Sequence, residues 1–292
     1  MLSTPPTTPV GITSIIADVT PKQLDSYAKL IYEKIGVTIS PQKTTLLSNR
    51  LRRRLRATGL ATYDDYYNLL KKAAASDPEW DLFLQEVTTH ETYLFRDQAH
   101  WDWLRDKFVP EIVAEQKAGN RQPQLRVWSA ACSTGDEATT IACCLADRLP
   151  ATPAWHVEIV GTDVGAGAVA QAKQGAFSER AMRLVPTAYR QRFFEKGTAG
   201  AGASLKAPYR EMLKFSTHNL LEPLKEKAFD LVVLKNVLIY FDAASKKRVL
   251  TQIKRVLRPG GYLITGAAEG VSDLVGDFES TQGWLHRWPN GK

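Results

Sequence analysis

Apolar residues recur every three or four positions through the first part of the chain, and this spacing buries one face of a helix. In the first predicted helix, which starts at Pro21, the apolar positions are Leu24, Tyr27, Ala28, Ile31 and Ile35. The same spacing predicts a second helix over residues 41–56, a third from within residues 61–65, and a fourth around residues 80–87. The pattern therefore predicts a compact bundle of about four helices before position 90.

From residue 125 onward, short runs of strand-forming residues alternate with helical patterns. The predicted strands are 125–130, 157–162, 213–216, 229–234 and 261–265, and the predicted helices are 136–148, 165–175 and 243–257. Such alternation is typical of a doubly wound α/β fold, in which helices cover both faces of a mostly parallel sheet. Residues 278–288 are expected to close the sheet with an antiparallel hairpin.

Residues 177–214 interrupt this alternation. Segments 189–196 and 211–215 have strand-like composition, and the glycine-rich stretch 197–203 between them is typical of a flexible connection. We expect a small antiparallel β-subdomain inserted in the main sheet. The resulting division is a disordered tail (1–20), a helical domain (21–90), a linker helix and loop (91–122) and an α/β domain (123–292).

The segment 88–97 is polar where a linker would lie, and a helical pattern follows at once. Thr92 and Arg96 are four residues apart, so a helix would place both on one face, with His90 just before it. A capped surface helix whose arginine pairs with nearby acids is an equally good interpretation of this segment alone.

A predicted strand, turn and helix start follow one another over residues 125–137. The small residues of the turn allow close approach of a ligand, and its N–H groups are available as donors. Asp136 and Glu137 would repel a phosphate but favour a positively charged nucleoside. Asp163 ends the next strand, where a carboxylate commonly binds ribose hydroxyls. Asn219 and Asn236 follow later strands at the same edge, although asparagine there is often only a turn residue.

Charge is concentrated near the N-terminus of this chain of 292 residues, whose formal net charge is +7. Residues 22–72 contain 11 basic and 4 acidic side chains. Much of this charge lies on the second predicted helix, at Arg50, Arg52, Arg53, Arg54 and Arg56. Such a helix is either a solvated face or a docking surface on which arginine forks bind the carboxylates or phosphates of a partner.

The three cysteines indicate neither a disulfide framework nor a metal site, so we expect a reduced, cytoplasmic protein with no metal. The first 20 residues lack the basic start and long apolar run of a signal peptide. No apolar run approaches the ~20 residues that span a bilayer, and we expect no membrane insertion.

Several motifs in one order resemble the CheR family of chemotaxis-receptor methyltransferases, over nearly all of the chain from Pro21. They are Asn49-Arg-Leu…Arg-Arg-Leu-Arg56, Thr88-Thr-x-x-Thr-x-x-Phe-Arg96, Val127-Trp-Ser-Ala-Ala-x-Ser-Thr-Gly-x-Glu137, Thr162-Asp163, Asn219-Leu220, Asn236-Val-x-Ile-Tyr-Phe241 and Arg258-Pro-Gly-Gly261. The resemblance implies a helical N-terminal domain and a Rossmann-like methyltransferase domain with a small β-subdomain. The implied cofactor is S-adenosylmethionine, converted to S-adenosylhomocysteine.

The resemblance also implies roles for individual residues. Around the cofactor it implies ribose binding by Asp163, an adenine site beside Asn219 and Leu220, and further contacts from His90, Thr92, Arg96, Glu137, Lys235 and Asn236. Arg96 and Tyr240 would hold the acceptor carboxylate, which is already ionised at pH 7 and needs no general base. The five arginines resemble a docking helix for the glutamate-rich cytoplasmic coiled coil of a receptor. The insert resembles a subdomain that, in some members, binds a receptor C-terminal tail peptide by strand addition.

The chain departs from the family pattern at several places, one of them residues 267–270, where Ala-Ala-Glu-Gly replaces a more polar His-Ser-Glu run. His90 stands where asparagine is expected, Lys235 where arginine is usual, Asp136 where glutamate is common, and Gly165 where a second acid often follows Asp163. The departures at His90, Lys235 and Gly165 motivate one alternative function, a regulatory binding module of the same fold with weakened catalysis. A second alternative, a nucleic-acid methyltransferase, is suggested by the basic charge. It is disfavoured because no Pro-Pro follows Asn236 and because Cys132 lies in the cofactor turn, a poor position for a nucleophile that attacks a base, so we expect no nucleic-acid partner.

Overall fold

The computed structural model describes residues 16–197 and 202–291. Four helices form a bundle in the first part of the chain: α1 (Pro21–Ile35), α2 (Thr44–Thr58), α3 (Tyr63–Lys72) and α4 (Pro78–Val87). A short 3₁₀ turn, Pro41–Lys43, leads into α2. The apolar stripe that predicted these helices is their core, in which Tyr27, Leu51 and Phe83 are almost fully buried. The predicted bundle is therefore confirmed.

One continuous helix then runs toward the sheet, formed by α5 (Gln98–Trp103), a π-helical turn (Leu104–Phe108) and α6 (Val109–Lys117). The main strands are β1 (Gln124–Ala130), β2 (His156–Asp163), β6 (Leu213–Thr217), β7 (Phe229–Leu234), β8 (Leu257–Thr265), β9 (Glu279–Gln282) and β10 (Leu285–Arg287). The covering helices are α7 (Asp136–Arg148), α8 (Ala166–Gln174) and α11 (Ala243–Val256).

The strand order in this sheet is β6-β2-β1-β7-β8-β10-β9. Strands β6, β2, β1, β7 and β8 are parallel, and the hairpin β9–β10 adds to β8 in antiparallel fashion. Apolar side chains are buried on both faces of the sheet, which explains why the central strands are continuous apolar runs in the amino-acid sequence. The predicted α/β sheet and its closing hairpin are confirmed.

The inserted subdomain is antiparallel as predicted, but its strands differ from those expected. Its three strands, in the order β3-β5-β4, are β3 (Ala176–Phe177), β5 (Ala203–Leu205) and β4 (Phe194–Lys196). Most of the predicted strand 189–196 is helix α9 (Thr187–Phe193), whereas 211–215 overlaps main-sheet strand β6 after helix α10 (Ala207–Arg210). Phe193 packs its ring against Tyr189 and Tyr209, so helical spacing buries the aromatic side chains together. Of the predicted glycine-rich connection, residues 198–201 lie outside the described residues.

The predicted disordered tail is corrected only at its end. Residues 1–15 lie outside the described residues, whereas Ile16 packs against the helical core. Val19 is buried and donates its N–H to Ser48 Oγ at 2.9 Å. The predicted helix through Thr92 and Arg96 is wrong, since residues 88–97 form no helix.

Long-range contacts replace helical hydrogen bonds in that segment. The N–H of Leu94 donates to the carbonyl of Ala181 in the insert, and the N–H of Phe95 donates to Thr140 Oγ1 on α7. Phe95 and Asp97 adopt positive φ angles of 58° and 63°, which a helix excludes. In the described part of the chain, no helix is long and apolar enough to cross a membrane.

Candidate cofactor and substrate site

A cavity opens at the carboxyl ends of the parallel strands, between the sheet and helices α1 and α2. All ten predicted pocket residues line it: His90, Thr92, Arg96, Glu137, Asp163, Asn219, Leu220, Lys235, Asn236 and Tyr240. The helical bundle completes the wall, for example with Val37, Lys43 and Arg50. Residues as far apart in the chain as Val37 and Tyr240 therefore meet in one site, at the edge where open α/β sheets bind ligands.

The turn after β1 has an unusual backbone. Ala131, Ser133 and Gly135 all have positive φ, at 61°, 51° and 86°. A Cβ at Gly135 would lie 2.9 Å from the Cβ of Ala172, so both conformation and space require glycine there. The turn directs the N–H of Ser133 at the carboxylate of Asp163. The positive φ of Ala131 and Ser133 is the kind of backbone strain that clusters at functional sites.

Asp163 is held rigidly at the end of β2. Its Oδ2 accepts from the N–H of Ser133 at 2.8 Å, and its Oδ1 accepts from the N–H of Gly165 at 2.9 Å. His90 Nδ1 lies 3.9 Å from Oδ1. Each carboxylate oxygen keeps a second lone pair, so a fixed acceptor pair remains for the two hydroxyls of a ribose.

A buried cation joins two carboxylates behind the cavity. Lys235 Nζ, with a side chain only 1% exposed, lies 3.7 Å from Glu137 Oε2 and 3.2 Å from Asp97 Oδ2. It also donates to the carbonyl of Arg96 at 3.3 Å. Ser129 Oγ donates to the other oxygen of Glu137 at 2.8 Å. Burial raises the pKa of the Glu137 carboxyl, and the Lys235 cation opposes that shift.

Asn219 and Asn236 hold different parts of the site in place. Asn219 donates from Nδ2 to the carbonyl of Lys34 and accepts at Oδ1 from the N–H of Leu221, so its side chain ties helix α1 to the end of β6. Asn236 has a positive φ of 59°, and its N–H donates to the buried carboxylate of Glu269. The carboxylate of Glu269 therefore fixes the turn after β7.

Tyr240 lies on a 3₁₀ turn, Leu238–Tyr240, where the bundle meets the sheet. Its carbonyl accepts from both the N–H and the hydroxyl of Thr38, at 2.8 and 3.0 Å. Lys43 Nζ stands 5.0 Å from the centre of its ring. The helical bundle therefore fixes the backbone that carries this tyrosine.

Sequence comparison decides which family this site belongs to. The family description "CheR methyltransferase, all-alpha domain" matches residues 22–88, and "CheR methyltransferase, SAM binding domain" matches residues 90–285. The chain belongs to the CheR methyltransferase family. Its fold joins that all-helical part to a Rossmann-like methyltransferase sheet, and its cofactor is S-adenosylmethionine.

Relatives named "Chemotaxis protein methyltransferase" match along most of their length. The protein of Salmonella typhimurium is 33% identical over 282 residues, covering 92% of this chain and 93% of its own. The protein of Escherichia coli is 32% identical, with coverages of 92% and 94%. A solved glycopeptide N-methyltransferase in complex with S-adenosylmethionine is 14% identical, with a TM-score of 0.31 over 61% of this chain and 57% of its own. That likeness is too loose to support an argument.

The five arginines of α2 in this CheR family member fall into two groups. Arg54 forms a two-pronged pair with Glu79 at 2.9 and 2.7 Å and is 12% exposed, while Arg52 bonds to Asp18 and is 18% exposed. Arg50 lines the cavity, Arg53 is 51% exposed beside Glu86, and Arg56 is exposed. Arg50 also donates to the carbonyl of Val87 and to Thr89 Oγ1, and Arg53 pairs with Glu86 at 2.6 Å. Four of the five therefore bond to other residues of the helical region or to the segment after it, and Arg50 and Arg53 do so at the cavity and at the surface.

Sequence reasoning missed several residues of the site. Asp97 shares Lys235 with Glu137, Glu269 holds the turn of Asn236, and His218 lines the cavity with a pKa lowered by burial. Asp97 follows Arg96 and His218 precedes Asn219, so adjacency to a predicted residue was the available signal. Glu269 lies 33 residues from Asn236, and nothing in the periodicity connects the two.

Proposed function

We propose that this CheR methyltransferase transfers the methyl group of S-adenosylmethionine to glutamate side chains on the cytoplasmic coiled coil of chemotaxis-type receptors. The products would be glutamyl methyl esters, which serve sensory adaptation, and S-adenosylhomocysteine. One observation carries the proposal: a single cavity holds fixed carboxylates for a cationic nucleoside and opens beside a basic helix suited to an acidic partner. The names of the relatives support the same acceptor class.

The residues present fit this cofactor. The glycine turn leaves room for close approach, Asp163 offers two fixed acceptor oxygens, and Glu137 adds negative charge near the cavity. These features favour a cationic nucleoside that carries no phosphate. When bound, S-adenosylmethionine supplies an electrophilic methyl group on sulfur.

The chain's own part in catalysis is to bind, align and exclude water. An acceptor glutamate is ionised at pH 7, so no residue needs to remove a proton. Arg96 and Tyr240 are the cavity residues suited to binding its carboxylate, through guanidinium and phenol donors. The two reactants carry opposite charges that are lost as they react. Excluding water from the site and holding the reactants in line therefore both favour the transfer.

We further propose that one stripe of α2 and its preceding turn docks the receptor. Lys43, Leu46 and Arg50 recur at intervals of three and four, and all three line the cavity. Arg53 continues the stripe outward. A glutamate-rich helix lying along this stripe would bring an acceptor side chain to the cavity mouth, with the partner's remaining carboxylates near the cations. This stripe retains Arg50 and Arg53 from the predicted docking set.

The inserted subdomain offers an edge strand for a second contact with the receptor. Its order β3-β5-β4 leaves β4 (Phe194–Lys196) at an edge, and an edge strand can take a further strand by main-chain hydrogen bonds. We propose that a receptor C-terminal tail peptide adds there. We also propose that the protein acts in the cytoplasm, where the acceptor coiled coil lies.

The test incubates the full chain with methyl-labelled S-adenosylmethionine and a receptor cytoplasmic fragment, then treats the product with mild base. Release of the label as methanol supports a glutamyl ester, whereas label that resists base contradicts it and indicates N-methylation. Arg96→Ala is then compared with the parent at saturating cofactor, after calorimetry has confirmed that it binds cofactor. Methylation as fast as the parent would exclude the proposed role of Arg96. Cofactor binding by the parent without any transfer would favour the regulatory module.

A further inference from the structure

Helix α8 begins without a capping side chain of its own. Its N-cap residue is Gly165, which makes no side-chain cap bond. The first N–H groups of a helix have no partners within the helix, and a serine, threonine, aspartate or asparagine at the N-cap usually accepts from the second or third of them. In α8 that oxygen must come from elsewhere.

The missing oxygen comes from the helical bundle. Gln85 on α4 accepts at Oε1 from the N–H of Ala168, at 2.9 Å. Ala168 is the third residue of α8, the position that an N-cap side chain normally serves. Gln85 therefore caps α8 from 83 positions away along the chain.

Two glycines make room for this contact. A Cβ at Gly165 would lie 2.5 Å from Gln85 Oε1 and 2.7 Å from His90 Cε1, and a Cβ at Gly167 would lie 3.0 Å from Gln85 Cδ. Neither glycine has a positive φ, so space and not backbone conformation excludes a side chain. The side chains of Gln85 and His90 fill the space that a side chain at position 165 would need. This gives a structural reason for glycine at that position.

The contact adjoins the carboxylate that faces the cofactor. The N–H of Gly165 donates to Asp163 Oδ1, the oxygen that also lies 3.9 Å from His90 Nδ1. The ring of His90 is held on its other side by Thr88 Oγ1, 2.8 Å from Nε2. A shift of the α8 start would therefore move one of the two hydrogen bonds that fix Asp163.

We propose that Gln85 is a positioning residue for the cofactor, acting as the cap of α8 in place of an N-cap side chain and thereby holding Asp163. Gln85 is outside the set of residues that line the cavity, so it acts through Gly165 and Asp163 and does not touch the ligand. Cofactor affinity is accordingly set in part by a residue of the all-helical region, outside the matched cofactor-binding region that begins at residue 90.

The first test is calorimetry of the full chain with S-adenosylmethionine. Loss of a cap costs about fivefold in an equilibrium constant, so Gln85→Met, which keeps the size but removes the acceptor, should raise the Kd about fivefold. Gln85→Glu, which keeps an acceptor oxygen, should bind nearly as the parent does. Gln174→Ala, an exposed glutamine at the other end of α8, is the matched control. An unchanged Kd for Gln85→Met, even with a lower Tm, would overturn the proposal.

The second test asks whether a local cap can replace the distant one. Gly165→Ser should weaken binding in the parent because its side chain meets Gln85. In a Gln85→Ala background the serine no longer meets Gln85, only His90, and it can cap Ala168 itself, so the double variant should bind more tightly than Gly165→Ser alone. Equal losses from Gly165→Ser in both backgrounds would contradict the proposal. The readout is binding alone, so neither test depends on the identity of the methyl acceptor.

Discussion

Replacing Lys235 by methionine tests how the wall of the cavity is held. The lysine side chain is 1% exposed and lies within 4 Å of two carboxylates, so its removal leaves Glu137 without its nearest cation. Breaking a buried ion pair from one side typically costs about 3–5 kcal/mol. Asp97 is 42% exposed and can be hydrated, which favours the lower end, about 3 kcal/mol.

The loss should depend on pH in a defined direction. Burial already raises the pKa of Glu137 in the folded protein, so the native state retains this proton more tightly than the unfolded chain does. Stability is therefore lost as the pH rises above the usual value of 4.5 and the folded carboxyl ionises. Without Lys235 the pKa rises further, so the deficit of Lys235→Met should be small near pH 5 and should grow toward pH 8.

The assay is thermal unfolding of the cofactor-free protein between pH 5 and 8. About 3 kcal/mol corresponds to a fall in Tm of roughly 5 °C for a chain of this size. Lys227→Met changes an exposed lysine and is the matched control, while Lys235→Arg keeps the charge. A Tm within about 2 °C of the parent at pH 8, or a deficit that is equal at pH 5 and pH 8, would refute the reasoning.

Two further predictions concern the helical bundle and a buried imidazole. Arg54→Ala should lower the free energy of unfolding by about 3 kcal/mol, because it leaves the largely buried carboxylate of Glu79 without its cation. The control Arg56→Ala changes an exposed side chain and should alter the free energy of unfolding by less than about 0.5 kcal/mol. Equal effects in urea unfolding would contradict the division of the α2 arginines into two groups. Burial, aided by Lys235, lowers the pKa of His100 to about 4. Stability should therefore be lost as the pH falls from about 6.5 toward 4, by at most about 3 kcal/mol, and His100→Phe should show a shallower loss in acid unfolding.

The helices and strands could be predicted from the sequence because the burial of apolar side chains repeats with the period of a helix or a strand. Helix α7 begins at Asp136 and ends at Arg148, and strand β7 spans Phe229–Leu234, as the pattern predicted. Three of the ten pocket residues, Asp163, Asn219 and Asn236, could be predicted from the pattern because parallel strands all end at one edge of their sheet and bring polar strand ends together. The other seven were implied by the family resemblance. Their individual roles remain predictions.

The partners of charged residues were not predictable, since they depend on contacts between distant elements. The arginines of α2 all looked equally available, yet Arg54 faces Glu79 on α4, 25 residues away. Helical spacing gives the direction of a side chain but not what the neighbouring helix presents to it. The same limit hid Gln85, whose partner on α8 is separated from it by 83 residues.

The segment 88–97 shows why a helical pattern can fail at a functional site. Its N–H groups at Leu94 and Phe95 bond to the insert and to α7, so hydrogen bonds that a helix would keep to itself instead fix the segment to two other parts of the chain. The carbonyl of Arg96 faces Lys235, and Asp97 pairs with the same lysine. Because one short segment carries Thr92 and Arg96 into the cavity and is held by the insert, α7 and β7 together, a displacement of any of these three should be felt at the site where the methyl acceptor is proposed to bind.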